Sequence, residues 1–396
     1  MRLRICLALT MTLAIAAAQC VGQAATAPDQ QRQTALALEQ QGENSEAEAA
    51  WRLYMKAHPS NPEPYAHLGL LEARQEHYKE AVPLYRKALA LDSRIPGLRL
   101  NLGLALFKAG EMKDALQEFN PLLKSAPQSS PDRQRLAILI GMSYYGLEEY
   151  AQAAPYLREA AAHDPPNLAL RLALAHSCLW SKQYQCVLDT YHEILMLNAE
   201  SAEADMLAGE ALDELKDSSG AIEQFRAAIK ADPRMLDVHF GLGYLLWSNH
   251  RYEEALPEFQ AELANDPDHV QALAHLGDTE IKLSQPEAAV PLFEKAIRID
   301  PQFEMAYLDL GILYADAGRN DDALRELKAA ERLMPDDVDV HWRLGRLYRV
   351  MGNKEDAKAE LDKAKSITQA ADTALINKMS PHSPQTQSPS AAPADK

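Results

Sequence analysis

The sequence predicts an all-α protein built as a solenoid of stacked helical hairpins, and three observations carry that prediction. Glycines stand at Gly209, Gly243, Gly277, Gly311 and Gly345, each 34 residues after the last. Gly69, Gly103 and Gly141 extend the series backward across one four-residue insertion, with Ala175 in the only place not held by glycine. Prolines keep the same interval at Pro233, Pro267, Pro301 and Pro335, with Pro59, Pro127 and Pro165 in phase once the insertion is counted. Within each period, apolar residues recur at helical spacing over two stretches of about a dozen residues, broken once in the middle and once at the proline.

Composition agrees with this class and excludes others. The 396 residues are 47 % hydrophobic, 24 % charged and only 7 % aromatic, a balance suited to alanine-rich helices. Lysine and arginine number 40 against 57 acidic residues, a net charge of −17. So acidic a surface repels phosphate backbones and anionic lipid heads, which disfavours nucleic-acid binding. Four cysteines with no C-x-x-C argue against thioredoxin chemistry, c-type haem attachment and a disulfide-dense scaffold.

Taken in order, the chain opens with residues 1–24, read as a signal peptide and hence as export. Arg2 and Arg4 form a basic start, and Ile5 to Ala18 run apolar without a charge, shorter than the roughly 20 residues a spanning helix needs. The small residues around Ala24 suit cleavage there. A retained anchor helix is the alternative, and Cys20 is a poor lipidation site because Gln19 precedes it.

Ten hairpins are then expected at 28–61, 62–95, 96–129, 134–167, 168–201, 202–235, 236–269, 270–303, 304–337 and 338–371. The hairpin 270–303 shows the logic of each. Its first helix, A, carries Leu273, Leu276 and Gly277 on one face. Ser284 with Glu287 three residues on has the spacing of a capping box for the second helix, B. Ala289, Phe293 and Ala296 follow on helix B, and Asp300-Pro301 closes the unit because proline lacks the amide donor. Small residues at Gly277 and Ala289 let the two helices approach, and Phe293 fills the space beside them. The segment Ser125 to Arg133 holds the insertion and reads as a longer turn. Residues 372–396 read as a Pro/Ser-rich disordered tail, with 372–379 able to add a short capping helix first.

These residues resemble the tetratricopeptide-repeat family, whose 34-residue pattern runs W-x2-L-G-x2-Y, A-x3-F, P. In the hairpin from Glu304, Tyr307 takes the Trp place, followed by Leu310-Gly311, Tyr314, Ala323, Leu327, Ala330 and Pro335. The hairpin from Pro62 supplies Tyr65, Leu68-Gly69, Ala81, Tyr85 and Ala88, with Ser93 for the proline, and the one from Leu236 keeps Leu242-Gly243, Ala255, Phe259 and Pro267. Departures gather in the terminal hairpins, with Ala35 for glycine in the first and Gln369 for proline in the tenth, and in the fifth, with Ala175, Val187 and Ala199. The resemblance implies a right-handed superhelix whose concave side is lined by the A helices.

It also implies where partners would bind. In this family the fifth, ninth and twelfth places of each repeat face the concavity. They fall here on Leu100, Leu104, Phe107, Ile138, Met142, Tyr145 and Leu172, then on Phe240, Tyr244, Trp247, Leu308, Ile312, Trp342, Arg346 and Arg349, with Glu210, Asp213 and Asp278 between. Such a face suits a helix or extended segment with apolar anchors and some positive charge. Packing of A helix on A helix is the competing role for each residue. The Lys-Asn clamp that holds C-terminal carboxylates in some members is replaced by Ala66 and Leu70, or Leu100 and Leu104.

No nucleophile elbow, phosphate loop, zinc-protease helix or calcium loop occurs in the sequence, so no catalytic, cofactor-binding or metal site is assigned. His176, Cys178, Cys186 and His192 fall within 17 residues, but their helical phases diverge and a zinc site needs its ligands to converge. Cys178 and Cys186 flank the turn of one hairpin, and in an exported protein two states stand open for them, a disulfide or two buried thiols. The function expected is a non-catalytic protein-binding scaffold or adaptor, periplasmic or secreted, with a peptide or protein partner, no nucleic acid and no membrane span after signal cleavage. The alternative is an assembly subunit of an envelope or secretion complex that associates end to end or with itself.

Overall fold

The computed structural model describes residues 27–379 apart from 129 and 199. The expected signal peptide, Cys20, Ala199 and the tail beyond residue 379 lie outside the described residues. Helices pair along the chain as α1 (Ala27–Gln41) with α2 (Asn44–Ala57), α3 (Pro62–Arg74) with α4 (Tyr78–Leu91), α5 (Leu98–Lys108) with α6 (Met112–Ser125), α7 (Pro131–Gly146) with α8 (Tyr150–His163), and α9 (Leu168–Trp180) with α10 (Tyr184–Leu197). These belong to one compact unit, ending at Leu197. The second unit, from Asn198, pairs α11 (Ala202–Glu214) with α12 (Ser218–Ala231), α13 (Val238–Ser248) with α14 (Tyr252–Asn265), α15 (Val270–Lys282) with α16 (Pro286–Ile299), α17 (Glu304–Asp316) with α18 (Asn320–Leu333), and α19 (Val338–Val350) with α20 (Lys354–Met379). Within each unit a B helix packs on its own A helix and on the A helix that follows. No strand occurs among the described residues.

The periodic glycines are explained by what lies opposite them. A Cβ built on Gly69, Gly103, Gly141, Gly209, Gly243, Gly277, Gly311 or Gly345 would stand 2.5–3.0 Å from the side chain sixteen residues later, which is Tyr85, Phe119, Leu157, Phe225, Phe259, Phe293, Leu327 or Leu361. The bare Cα admits a ring or leucine edge against the A helix, and the pair closes the hairpin without a void. Burying one such ring contributes about 1.5–3 kcal/mol. Phe119, Phe259 and Phe293 are fully buried, and around Phe293 the cluster runs through Leu273, Leu310, Leu327 and Leu344, so neighbouring hairpins share one core.

The A-to-B turns use a second repeated device. Gly42, Glu76, Gly110, Glu148, Lys182, Lys216, His250, Ser284, Gly318 and Gly352 all have φ between 60° and 84°, and each stands two places before a B helix. The following amide reaches back to the carbonyl five residues earlier, as in Gln285 N to Glu280 O at 2.8 Å, a bond that satisfies the end of helix A. This corrects the capping box expected at Ser284. That residue terminates α15 at φ 64°, and α16 starts at Pro286 behind Gln285 without a side-chain cap. A left-handed turn leaves the serine outside the N-cap position. Replacing Ser284 with glycine removes a backbone penalty of about 1 kcal/mol, and a higher melting temperature by circular dichroism is the expected result.

Two further departures lie at joints. The insertion ends at Ser130, whose hydroxyl accepts the Arg133 amide at 3.2 Å with Pro131 as first helical residue. The last helix does not stop at 371: α20 runs to Met379, so residues 372–379 are helical. Gln369 stands where proline ends other repeats, and no proline follows until Pro381, so nothing local breaks the helix. Among the described residues no helix is long and apolar enough to cross a membrane.

Candidate functional site

Each A helix turns one side to its B helix, and most of the fifth, ninth and twelfth places stay outside the buried core, Leu179 and Ala274 being exceptions. In the first unit, Leu100, Leu104 and Phe107 of α5, Ile138, Met142 and Tyr145 of α7 and Leu172 of α9 are all half-buried. Leu100, Leu104 and Phe107 lean on the core of α4 to α7, so part of this row serves hairpin packing. Tyr145 meets His176 of α9 edge-on at 6.4 Å. The face is apolar on α5 and α7.

The second unit carries a different face on α11, α13, α15, α17 and α19, each touching the next in that series. Phe240, Tyr244 and Trp247 stack along α13, with ring centroids 6.1 and 5.9 Å apart. His275 of α15 lies 5.8, 5.2 and 4.9 Å from the three rings. The Trp247 indole N–H donates to Asp278 Oδ2 at 2.6 Å, which fixes the tryptophan across two helices. Tyr244 keeps 42 % exposure. On α19, Trp342 is 41 % exposed, and the guanidiniums of Arg343 and Arg346 lie 5.2 and 4.8 Å from its ring. Leu308 and Ile312 of α17 are half-buried between these groups.

Electrostatics mark the same face. Burial pushes the Asp309 carboxyl of α17 up to about 7, helped by Asp278 and Asp339 and opposed by Lys282 and Arg343. Burial, with a contribution from Asp237, raises Glu210 of α11 to about 7 as well. His275 is lowered, mainly by burial and against the pull of Asp278, so its ring is neutral at pH 7. Residue patterns missed His275, Asp309 and Arg343, which share the sixth place of three successive hairpins. The signal that finds them is a titratable residue at the sixth place of an A helix, one residue beyond the expected groove row.

Two groups of acids and histidine outside this face are held by internal bonds. Glu262 accepts the Asp237 and Phe240 amides at 3.0 Å each, capping α13, and His269 Nε2 bonds Asp237 at 2.9 Å. Glu331 and Glu360 share the Lys328 ammonium at 2.8 and 2.9 Å, and Glu360 also meets His341 at 2.7 Å. Lysine thus already supplies the cation that this second cluster needs.

Cys178 of α9 and Cys186 of α10 are joined across their turn, S–S 2.03 Å and Cα–Cα 5.9 Å. His176 turns to Tyr145 and His192 to Tyr191, so the four residues do not converge. Denatured without reductant, the peptides carrying Cys178 and Cys186 are expected to resist iodoacetamide and to be alkylated after reduction. Alkylation before reduction, read by mass spectrometry, would disprove the bond.

Comparison with known proteins places these helices. One tetratricopeptide-repeat model matches residues 67–130, 188–235 and 240–302, and a second matches 280–337 and 314–375. The type IV pilus assembly protein PilF of Pseudomonas aeruginosa is 28 % identical over 143 residues, 36 % of this chain and 56 % of that protein. The chain therefore spans about half the length of this curated relative. A solved structure of Pseudomonas aeruginosa PilF aligns with a TM-score of 0.46 at 17 % identity, covering 54 % of this chain and 97 % of that one. YrrB, described as a tetratricopeptide-repeat protein with an unusual peptide-binding site, aligns with a TM-score of 0.41 at 24 % identity, covering 48 % and 97 %.

Proposed function

The chain belongs to the tetratricopeptide-repeat family, and on that footing we propose that it is a non-catalytic scaffold which binds a peptide or protein segment on the A-helix faces of its repeats, in the bacterial envelope or outside the cell. The observation that carries this reading is the face of the second unit. Large aromatic and charged side chains, Tyr244, Trp342 and Arg346, stay exposed in one register, while the core-facing places of the same helices are buried. Exposed aromatic and arginine side chains are the types that anchor protein interfaces. The basic and apolar segment 1–24 supports the location.

Affinity capture from envelope and medium extracts tests it, with the wild-type chain beside variants carrying Leu104→Asp with Tyr145→Asp, or Tyr244→Asp with Trp247→Asp. A partner retained by the wild type and lost by a variant that keeps its helical circular dichroism is the expected result. Equal capture by all three chains would remove the A-helix face as the binding surface.

The similarity to a pilus assembly protein favours a second reading, an assembly subunit acting through contacts with its own copies or with envelope machinery. Light scattering separates the two: a mass that rises with concentration supports assembly, and a constant monomer mass supports the adaptor.

A further inference from the structure

Charge is segregated along the A-helix face of the second unit. Glu210, Asp278 and Asp309 stand on α11, α15 and α17, and Arg346 and Arg349 stand one turn apart on α19. The aromatic row of α13 lies between Glu210 and Asp278. We propose that this face takes a polypeptide segment with opposite charges at its two ends, lysine or arginine side chains over α11 to α17 and carboxylates over α19, with an apolar side chain set on Tyr244. The inference rests on the A-helix face being the binding surface, and it adds the chemistry and polarity of the occupant.

Asp278 pairs with Lys282 at 3.8 Å, but Glu210, Asp309, Arg346 and Arg349 of this face stand without an ion-pair partner among the described residues. Many arginines outside it are tied to carboxylates, as in Arg133 with Glu159 at 3.0 Å, Arg171 with Glu193 at 3.1 Å and Arg251 with Glu254 at 2.7 Å. Among the described residues, Arg346 and Arg349 have no carboxylate partner, although the chain holds 57 acidic residues. Arg346 contacts only the Trp342 ring as a charged group, which orients its guanidinium and leaves its donors open. Glu210 and Asp309 have neither a hydrogen bond nor an ion pair among the described residues, and the burial that raises their titration is not offset by a bonded cation. A ligand ammonium or guanidinium would supply it, and the Asp278 carboxylate beside Trp247 offers the same charge next to an apolar anchor.

Spacing sets the length of the segment. Neighbouring helix axes lie about 8–10 Å apart, so α11 to α19 spans about 32–40 Å. An extended chain covers this in about ten to twelve residues. Beside Arg346 a recess lined by Ile312, Ala315, Leu347 and Val350 would receive an apolar side chain next to the carboxylates. Charge of this kind fixes register and orientation more than it adds affinity.

The test uses fluorescein-labelled eleven-residue peptides and the full chain. One peptide has two lysines at one end, two glutamates at the other and leucines with alanines between; its isomer has the same residues with the charges alternating. Anisotropy at low salt is expected to show the segregated peptide binding about tenfold more tightly than the isomer. Arg346→Glu with Arg349→Glu should abolish that preference while thermal unfolding is unchanged, and Asp278→Asn with Asp309→Asn should abolish it equally. If both peptides bind alike and both are lost on Tyr244→Asp with Trp247→Asp, the face binds peptides without reading charge order. That outcome overturns the proposal and leaves the scaffold reading intact. If neither peptide binds, the proposal is also overturned, and the capture experiment decides the scaffold reading separately.

Discussion

Replacing Phe293 with alanine is expected to lower stability by about 3–5 kcal/mol, the cost of emptying a fully buried aromatic site. The ring is 0 % exposed, lies 2.8 Å from where a Gly277 Cβ would stand, and joins the core of α15 to that of α17 and α18. Gly277→Leu alone should cost about 1–3 kcal/mol, because its side chain would be driven into that ring. The two changes together should cost less than their sum, since leucine at 277 would enter the space that the ring vacates. Urea unfolding followed by circular dichroism measures all four corners of this cycle. Strict additivity would mean that the two residues do not face each other and would refute the hairpin register.

The second large effect depends on pH. Asp309 titrates near 3.9 in an unfolded chain and near 7 when folded, raised by burial first and then by Asp278 and Asp339 against Lys282 and Arg343. Below about pH 4 the group is protonated in both states and costs nothing. As pH rises toward 7 the unfolded chain gives up its proton while the folded chain keeps it, so stability falls, and above 7 the loss is complete. Asp309→Asn removes this linkage. The variant should gain about 2–4 kcal/mol over wild type at pH 8 and nothing at pH 4. Equal melting-temperature differences at both pH values would show that Asp309 is not desolvated by α15 and α19.

Much of the fold was legible because its determinants are local and periodic. Gly277 and Phe293 are sixteen residues apart within one hairpin, and the pattern repeats them, so the sequence exposes the pair eight times over. The turn chemistry was harder. Ser284 has the residue type and spacing of a cap, but a left-handed backbone at its position is a property of the turn as a whole, seen only when His250, Lys216 and Gly318 are found to share it. The continuation of α20 to Met379 was half visible, since the missing proline at Gln369 removed the stop without proving that the helix goes on.

The candidate site divides in the same way. Tyr244, Trp247, Trp342 and Arg346 were found from their places in the repeat, and they remain on the outer side of their A helices. His275, Asp309 and Arg343 were not, because a residue's charge state and partners depend on side chains of the neighbouring hairpins, as Asp309 does on Asp278, Lys282, Asp339 and Arg343. Sequence by itself determined the helices, their pairing and the small-against-large contact inside each hairpin, all consequences of helical periodicity and nearest-neighbour packing. Tertiary structure alone decided that Trp247 bonds Asp278, that Asp309 and Glu210 stay without a bonded cation among the described residues, and that two arginines on α19 keep open donors. Burial and counter-charge are set by what successive hairpins bring together in space, and no single repeat contains that information.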